Sequence, residues 1–372
     1  MSTQFDAVDL NKRLISLDFM RGFIMFLLTL EGTGLYGLLE KNTENTLWEP
    51  FVQQLHHHQW NGLRFWDLIQ PGFMFIAGTA MALSINKMKE KGVAKNSLIM
   101  KALKRSGWLF FWGVLIYAVH EDGLRFELWN VLTQLSFTLL VAFFIFEWSI
   151  LAQIFSCLFL LILTEVLFRF TMIDGYDQPF VKQHNFGSYV DILLMNKTSR
   201  GGWLAINCIP TSVHTIAGAI IGKLLMGKEA QKDKLKKILT WAIPLLIVGY
   251  ALDLTHITPI IKRISTSSFT IVSLGWCLLA FGVCYYFIDI KGNHKKLLFF
   301  NVLGMNSIFI YLFFEIPGGG FLNPYINQIF SGIGQLTNLS NITMAFASCI
   351  TIFLVEWYLC YFLYKKKIFF RI

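Results

Sequence analysis

Charged side chains are scarce in this chain of 372 residues. Asp, Glu, Lys and Arg together make up 15% of it, whereas hydrophobic residues make up 55% and the mean hydropathy is +0.54. A soluble domain usually carries about a quarter charged residues. The composition therefore excludes an ordinary soluble protein and predicts a polytopic integral membrane protein in contact with the lipid bilayer.

Other motifs that the sequence lacks narrow the possible class of membrane protein further. The six cysteines form no CxxC pair and no zinc-ligand spacing, so we expect neither disulfides nor a metal site. No low-complexity segment and no obvious internal repeat is present, which argues modestly against the common secondary transporters. A basic patch interleaved with aromatic residues on a soluble face is also missing, so we expect no nucleic-acid partner.

Long apolar runs predict an all-α helical bundle of about ten, at most eleven, membrane-spanning helices, because a spanning helix needs about 20 apolar residues. The first run is long, keeps polar residues and lacks a small-residue cleavage site, so we interpret it as a span and not as a signal peptide. The whole chain, 1–372, is predicted to form a single domain, with larger external loops at about 40–64, 171–202 and 318–341. The predicted spans are 19–39, 65–86, 106–121, 128–147, 149–170, 203–226, 238–254, 267–288, 298–317 and 342–364.

The distribution of Lys and Arg predicts the orientation. Cytoplasmic loops carry an excess of these residues, and 22 of the 32 basic residues fall on the side that holds both termini, against eight on the other. Both termini are therefore expected in the cytoplasm, and the net charge of +9 follows from this topology. The basic terminal residues that contribute to this count include Lys12, Arg13 and Arg371.

A cluster of polar residues enters the second span. His56, His57 and His58 are consecutive, so their side chains point in different directions, and no second ligand stands four residues away to complete a metal site. The segment Trp60–Gly62 resembles a turn that directs His57 inward, whereas His56 and His58 are compatible with solvated loop positions. Asp67 is a candidate partner for catalysis, or a cap for the following helix.

Two groups of polar residues lie on the first span. Asp18 and Arg21 share one helical face at the cytoplasmic end, where they form either a local ion pair or an anchor for an anionic ligand. Glu31 lies ten residues beyond Arg21, about 15 Å along the axis. An ionisable residue at that depth indicates either a functional acid, suited to proton transfer or to orienting a histidine such as His57, or a paired structural acid.

Polar stripes also follow two later spans. Asn207, Thr211 and His214 recur on one face of the sixth span, and Ser307 and Tyr311 do so on the ninth. Such stripes are typical either of hydrogen-bonded seams between helices or of the wall of a buried site.

Together these segments resemble the heparan-α-glucosaminide N-acetyltransferase family, in order and over nearly the whole chain. The matching motifs are Arg13–Gly22, His57-x-x-Trp60-Asn61-Gly62, Asp67-Leu68-x-x-Pro71-x-Phe73-x-Phe75-x-x-Gly78, Tyr189–Asp191, Ile206-Asn207 with Gly218 and Gly222, Asn306-Ser307 with Tyr311 and Glu315, and Tyr364–Phe369. Glu31 departs from the family, whose animal members have asparagine near that point, and the long amino-terminal extension of those members is missing. The chain therefore resembles a compact bacterial branch.

The resemblance implies a transmembrane acetyltransferase that takes an acetyl group from cytosolic acetyl-CoA and delivers it to an amino sugar or other saccharide outside. His57 corresponds to the catalytic histidine, as general base or acyl-accepting nucleophile. It implies a location in a bacterial inner membrane, and a homodimer is one possible assembly. The predicted catalytic residues are His57, Glu31 and Asp67; the predicted acceptor-binding residues are Trp60, Asn61, Asn207, Thr211 and His214; the predicted donor-binding residues are Asp18, Arg21, Asn306 and Tyr311.

Two other functions stay open on the residues alone. An amino-sugar transporter or permease would also need many spans with polar interior stripes. A membrane scaffold without a ligand would need only the spans. Saccharide uptake without an acyl donor would favour the transporter, whereas thermal stabilisation by CoA would favour the enzyme.

Overall fold

A computed structural model describes residues 14–120 and 123–370. Lys12, Arg13 and Arg371, which contributed to the predicted orientation, lie outside the described residues. The described chain is almost entirely helical; its regular strands are a two-residue antiparallel pair, β1 (Val119–His120) and β2 (Gly123–Leu124). The predicted all-α class is therefore confirmed.

Fifteen α-helices follow one another along the described chain, joined by short 3-10 turns at Gln53–Leu55, Phe65–Leu68 and Ala205–Asn207. Wider π-helical turns occupy Tyr285–Ile290 and Phe314–Leu322. The helices are α1 (Ile15–Gly32), α2 (Leu35–Thr43), α3 (Glu49–Val52), α4 (Ile69–Glu90), α5 (Lys95–Ile116), α6 (Val131–Phe144), α7 (Ile150–Phe170), α8 (Phe186–Met195), α9 (Cys208–Met226), α10 (Gln231–Leu254), α11 (Ser267–Cys284), α12 (Leu298–Met305), α13 (Ser307–Phe313), α14 (Asn323–Thr337) and α15 (Asn341–Lys365).

Several of these helices are long and apolar enough to cross a bilayer, which indicates an integral membrane protein. Within the described residues six helices qualify, and eight if the bent pairs α1–α2 and α12–α14 each count as one span. The predicted number of ten is higher than this. Helix α5 carries Lys101, Lys104 and Arg105 in its first half, and α6 has 14 residues, about 21 Å at 1.5 Å per residue.

The segments predicted as loops contain regular structure. Residues 40–64 include the end of α2 and all of α3, and 171–202 contain α8. Most of the segment 318–341, also predicted as an external loop, is helical, since the chain continues through the π-helical turn and α14. Pro317 and the three glycines that follow it lie in this wide turn, which does not end the helix.

Helices α4 and α9 form the centre of the bundle because glycines let their backbones touch. A Cβ atom placed on Gly78 would lie 2.0 Å from the carbonyl oxygen of Thr215, and one placed on Gly218 would lie 2.0 Å from that of Phe75. Small residues are the usual means of close helix packing in membranes. Both helices bury most of their residues, whereas α7 and α10 bury few and face outward.

Candidate functional site

A tight turn before α4 fixes the histidine segment. Gly62 has φ +142°, and a Cβ atom there would lie 2.6 Å from the ring of His58, so a side chain would be strained and would clash. The Gly62 N–H donates to the carbonyl of Ile260 at 2.8 Å, and the Trp60 indole donates to the carbonyl of Phe180 at 2.8 Å. The turn is therefore tied to two distant loops.

The three histidines diverge, as their spacing predicts. The Nε2 atom of His56 lies 3.3 Å from the carbonyl of Tyr36, and His58 packs beneath the turn glycine. His57 alone among the three lines the large cavity described below.

His57 forms a direct pair with Asp67, which is fully buried. Its Nδ1 atom lies 2.9 Å from Asp67 Oδ1. The other carboxylate oxygen accepts the backbone N–H groups of Arg64 at 2.9 Å and His58 at 3.2 Å. Asp67 therefore caps the turn, as one sequence interpretation proposed, and orients the histidine as well.

This network fixes the tautomer of His57. An ionised carboxylate can only accept hydrogen bonds, so the proton of the neutral ring is assigned to Nδ1, where it is donated to Asp67. The Nε2 atom then carries the lone pair. A histidine whose second nitrogen is oriented by a carboxylate is the arrangement used in general base and nucleophilic catalysis.

Lys262, on the loop between α10 and α11, lies beside both residues of the His57–Asp67 pair. Its Nζ atom lies 3.1 Å from Nδ1 and 3.5 Å from Nε2 of His57, and 3.9 Å from Asp67 Oδ1. Burial and the Lys262 charge lower the pKa of His57 from 6.5 to about 4, although Asp67 acts in the opposite direction. Burial lowers the pKa of Lys262 from 10.5 to about 8. His57 is therefore neutral at pH 7.

The His57 cavity, as we call it, has a volume of about 920 Å³. Its size is within the range of small-molecule sites, and its wall mixes aromatic rings with charges of both signs. The charged and polar lining residues include Glu31, His57, Gln70, Tyr117, Arg125, Glu127, Lys197, Arg200, Lys262, Ser307, Tyr311 and Glu315, and the aromatic ones include Trp66, Trp129 and Trp203.

Glu31 opens onto this cavity but does not contact His57 directly in the described structure. Its carboxylate is hydrogen-bonded by the Trp66 side chain and is close enough to Lys262 and Glu315 to interact electrostatically. The carboxylate that orients His57 is Asp67 and not Glu31 as expected, since Asp67 is held on the same turn as the histidine.

The polar stripe on α9 lies away from the cavity. His214 is fully buried, with Nε2 2.8 Å from the hydroxyl of Ser273 on α11, and the Thr211 hydroxyl donates to the carbonyl of Asn207 at 2.8 Å. Asn207 donates to the carbonyl of Arg263 at 3.4 Å. None of the three lines the cavity, so the geometry favours the alternative interpretation, a hydrogen-bonded seam between helices.

Trp60 and Asn61 do not line the cavity either. The Trp60 ring packs with Leu204 and Phe180, and Asn61 is exposed at the turn. Their position supports a role in holding the turn that carries His57, and not the predicted contact with an acceptor.

The predicted donor-binding residues divide between two places. Tyr311 lines the His57 cavity, whereas Asp18 and Arg21 form an ion pair of 3.6 Å near the start of α1. Asn306 is fully buried and holds the C-terminal segment: it donates to the carbonyl of Ile368 at 3.2 Å and accepts the N–H of Phe370 at 2.9 Å.

A second cavity, of about 630 Å³, lies near these residues, and we call it the basic cavity. Phe370 lines it together with Lys101, Lys104, Arg105 and Trp108. The charges of Arg21 and Arg105 interact, so the start of α1 lies close to it. The buried Nε atom of Arg105 has no hydrogen-bond partner among the described residues, which leaves a donor for an anionic ligand.

Sequence reasoning missed Lys262, Trp203 and the basic cavity. Lys262 entered the sequence argument only as one of eight basic residues on the external side. A lysine three residues after Pro259 in a short loop between apolar runs was a weak signal, and nothing local connected it to a histidine 205 residues away.

Comparison with known proteins gives a distant relationship. No family model matches the chain. It is 24% identical to human heparan-alpha-glucosaminide N-acetyltransferase over 385 aligned positions, which cover 85% of this chain and 55% of the human protein. A stretch of 60 residues, 16% of the chain, is 42% identical to the mouse protein of the same name and covers 9% of it. The chain thus spans about half the length of the human relative, and the similarity is a distant one, at the level of a family, to these membrane N-acetyltransferases.

Proposed function

We propose that the protein is a membrane acetyltransferase that moves an acetyl group from acetyl-CoA to an amino sugar or other saccharide, with His57 as general base or acyl-accepting nucleophile. The observation that carries the proposal is the His57–Asp67 pair, which leaves the His57 Nε2 lone pair available in a cavity large enough for a sugar. The distant similarity to N-acetyltransferases supports the same chemistry.

The state of the histidine suits this reaction. An amine or hydroxyl acceptor must lose a proton as it attacks a thioester, which requires a neutral base. Because the pKa of His57 is about 4, its ring is available as base or nucleophile at neutral pH. Asp67 would stabilise the positive charge that the ring acquires in either role.

The basic cavity is the proposed donor site. CoA carries several phosphate charges, and Lys101, Lys104 and Arg105 supply cations beside Trp108 and Trp112. In this proposal these three basic residues contact the donor directly, in place of the donor-binding residues expected from the sequence. Of those expected residues, Arg21 and Asn306 lie next to the cavity. When bound, acetyl-CoA supplies the activated acetyl group.

The shared walls of the two cavities support transfer along the bundle. Both cavities are lined by residues of α4 and α6: on α4, Gln70 lines the His57 cavity and Met81 the basic cavity. Eleven residues of helix separate these two, about 16 Å. If the basic ends face the cytoplasm, as the distribution of Lys and Arg predicts, a donor would enter from that side and the acceptor from the opposite one.

Purified protein in liposomes tests the proposal, with radiolabelled acetyl-CoA and glucosamine as substrates. We expect labelled N-acetylglucosamine from the wild type and at least a 10³-fold loss of rate in His57→Ala, since removal of a catalytic group typically costs this much. His184→Ala, a change at an exposed histidine, serves as the matched control.

Two results would overturn the proposal. Equal rates for His57→Ala and wild type would remove His57 from the reaction. Saturable glucosamine uptake with no acetyl transfer would support the transporter alternative instead.

A further inference from the structure

Lys262 is an unusual residue for its position. Its side chain is 6% exposed, and a lysine is almost never so deeply buried unless it is paired. Its Nζ atom lies within 3.5 Å of both ring nitrogens of His57, 3.9 Å from Asp67 Oδ1, and 5.3 Å from the ring centre of Trp203. The ammonium group is therefore held beside the histidine that the proposed function uses.

The loop that carries Lys262 is anchored on both sides. Asp253 Oδ1 accepts the N–H of Ile260 at 2.8 Å, and the Thr266 hydroxyl accepts the N–H of Ile261 at 3.0 Å. The turn glycine Gly62 donates to the carbonyl of Ile260. Lys262 and His57 are thus fixed relative to each other by a backbone hydrogen bond between their two loops.

The ammonium lacks a good acceptor on the ring. Since Nδ1 donates its proton to Asp67, only Nε2 can accept from Lys262, and 3.5 Å is a long distance for such a bond. The other charged groups that face Lys262 are Asp67, Glu31 and Arg263. The two carboxylates favour the charged lysine, and a carbonyl oxygen arriving near Nε2 would be a better acceptor than the ring.

We propose that the Lys262 ammonium stabilises the negative oxygen that forms when an acyl carbonyl is attacked at His57. This inference rests on the proposed acyl transfer. As Nε2 of His57 forms its bond to the acyl carbon, the carbonyl electron pair moves to oxygen, next to Lys262 Nζ. Collapse of the intermediate restores the C=O bond and expels the thiolate, which leaves an acyl-imidazolium. Attack by the acceptor amine on this acyl group regenerates the neutral ring, and the proton that the amine loses goes to the thiolate.

The charge of Lys262 should have a second effect, which can be measured without acetyl-CoA. Its positive charge disfavours protonation of the neighbouring ring, so it keeps His57 in the reactive neutral state. Loss of the charge should therefore both slow attack on a carbonyl and raise the pKa of His57. A residue that only packed the loop would alter neither the rate nor its pH dependence in this manner.

Diethyl pyrocarbonate is a suitable probe because it acylates neutral imidazole by attack on a carbonyl. Its reaction at each histidine can be followed by mass spectrometry of the purified full-length protein between pH 5 and 8. In the wild type we expect the rate at His57 to vary little between pH 5 and 7 and to decline towards pH 8, because the pKa of Lys262 is about 8 and its charge is lost there. Lys262→Met should lower the plateau rate by about 10²-fold, the typical cost of losing one such donor, and the fall in rate at acid pH should begin at a higher pH than in the wild type.

Two controls separate charge from packing. Lys262→Arg retains the charge and should keep the flat profile between pH 5 and 7, and Lys41→Met changes an exposed lysine and should leave both rate and profile unchanged. His58, in the same samples, provides an internal reference for reagent activity.

The inference is overturned if Lys262→Met reacts at His57 with the rate and pH profile of the wild type. Should Lys262→Met fail to fold, Lys262→Gln, which also removes the charge but keeps a polar side chain, is judged by the same criteria. A half-maximal rate near pH 6.5 in the wild type would also overturn the inference, because the ring would then not be held neutral. Absence of acetyl transfer from acetyl-CoA, with the expected diethyl pyrocarbonate results, would refute the proposed function and leave the role of Lys262 standing.

Discussion

Replacement of Asp67 by asparagine should reverse the tautomer of His57 while preserving the fold. The Asp67 oxygen that accepts the N–H groups of Arg64 and His58 must stay an acceptor, so the amide oxygen of asparagine takes its place. The amide NH₂ group then faces Nδ1 of His57. Because NH₂ can only donate, the ring proton must move to Nε2, and the lone pair is lost from the cavity.

The magnitude follows from these contacts. One charge-assisted hydrogen bond becomes a neutral one, and the buried ammonium of Lys262 loses a carboxylate 3.9 Å away, while two backbone bonds are kept. The free energy of unfolding should therefore fall by about 3–5 kcal/mol. Reversal of a catalytic histidine's tautomer costs about 10⁴-fold in kcat where it has been isolated, which is about 5 kcal/mol in activation free energy.

Acetyl transfer to glucosamine and thermal unfolding, measured on the same preparations, test this prediction. Asp174→Asn makes the same chemical change at an exposed position and should match the wild type in both assays. Transfer by Asp67→Asn within about threefold of the wild type would refute the reasoning, and so would unfolding of the variant at room temperature.

Three further predictions concern pH, the turn and the α9 seam. Because the pKa of His57 in the folded protein is about 4 instead of 6.5, kcat/KM should fall near pH 4, and folding stability should also decline between pH 6.5 and 4, where the unfolded chain binds a proton that the folded one does not; an acid limb at pH 6.5 would contradict this. Gly62→Ala should lower stability by about 1–3 kcal/mol in thermal unfolding, since its φ is +142°, whereas Gly107→Ala, in open space on a helix, should not destabilise the protein. His214→Gln should lower the melting temperature through loss of the bond to Ser273 but keep kcat within about threefold; a loss of kcat at unchanged melting temperature would restore His214 to the site.

Local features of the site were predictable because they are close in sequence. His57 and Asp67 are ten residues apart on one turn, and Gly62 marks that turn by its lack of a side chain. The polar residues on α9 were recognised as a stripe, but periodicity gives only the face of the helix and not what the face meets. The structure places that face against Ser273 and not against the cavity.

The predicted ten spans exceed the six to eight candidate spans of the described helices for a related reason. Apolar runs show which segments avoid water, but α5 begins with several basic residues and α6 is short for a bilayer. Whether such a segment crosses the membrane depends on its neighbours. The apolar run alone does not encode that outcome, which depends on how the segment packs against other helices.

The sequence by itself determined the membrane class, the helical fold and the turn that carries His57, because hydrophobicity and short-range turn geometry act within a few residues. Tertiary structure alone decided which distant groups join them. Lys262 reaches His57 across 205 residues, and Glu31, Tyr311 and Glu315 meet around the same cavity from separate helices. Their convergence follows from the way glycine-mediated helix contacts and loop-to-loop hydrogen bonds set the bundle, which no local pattern encodes.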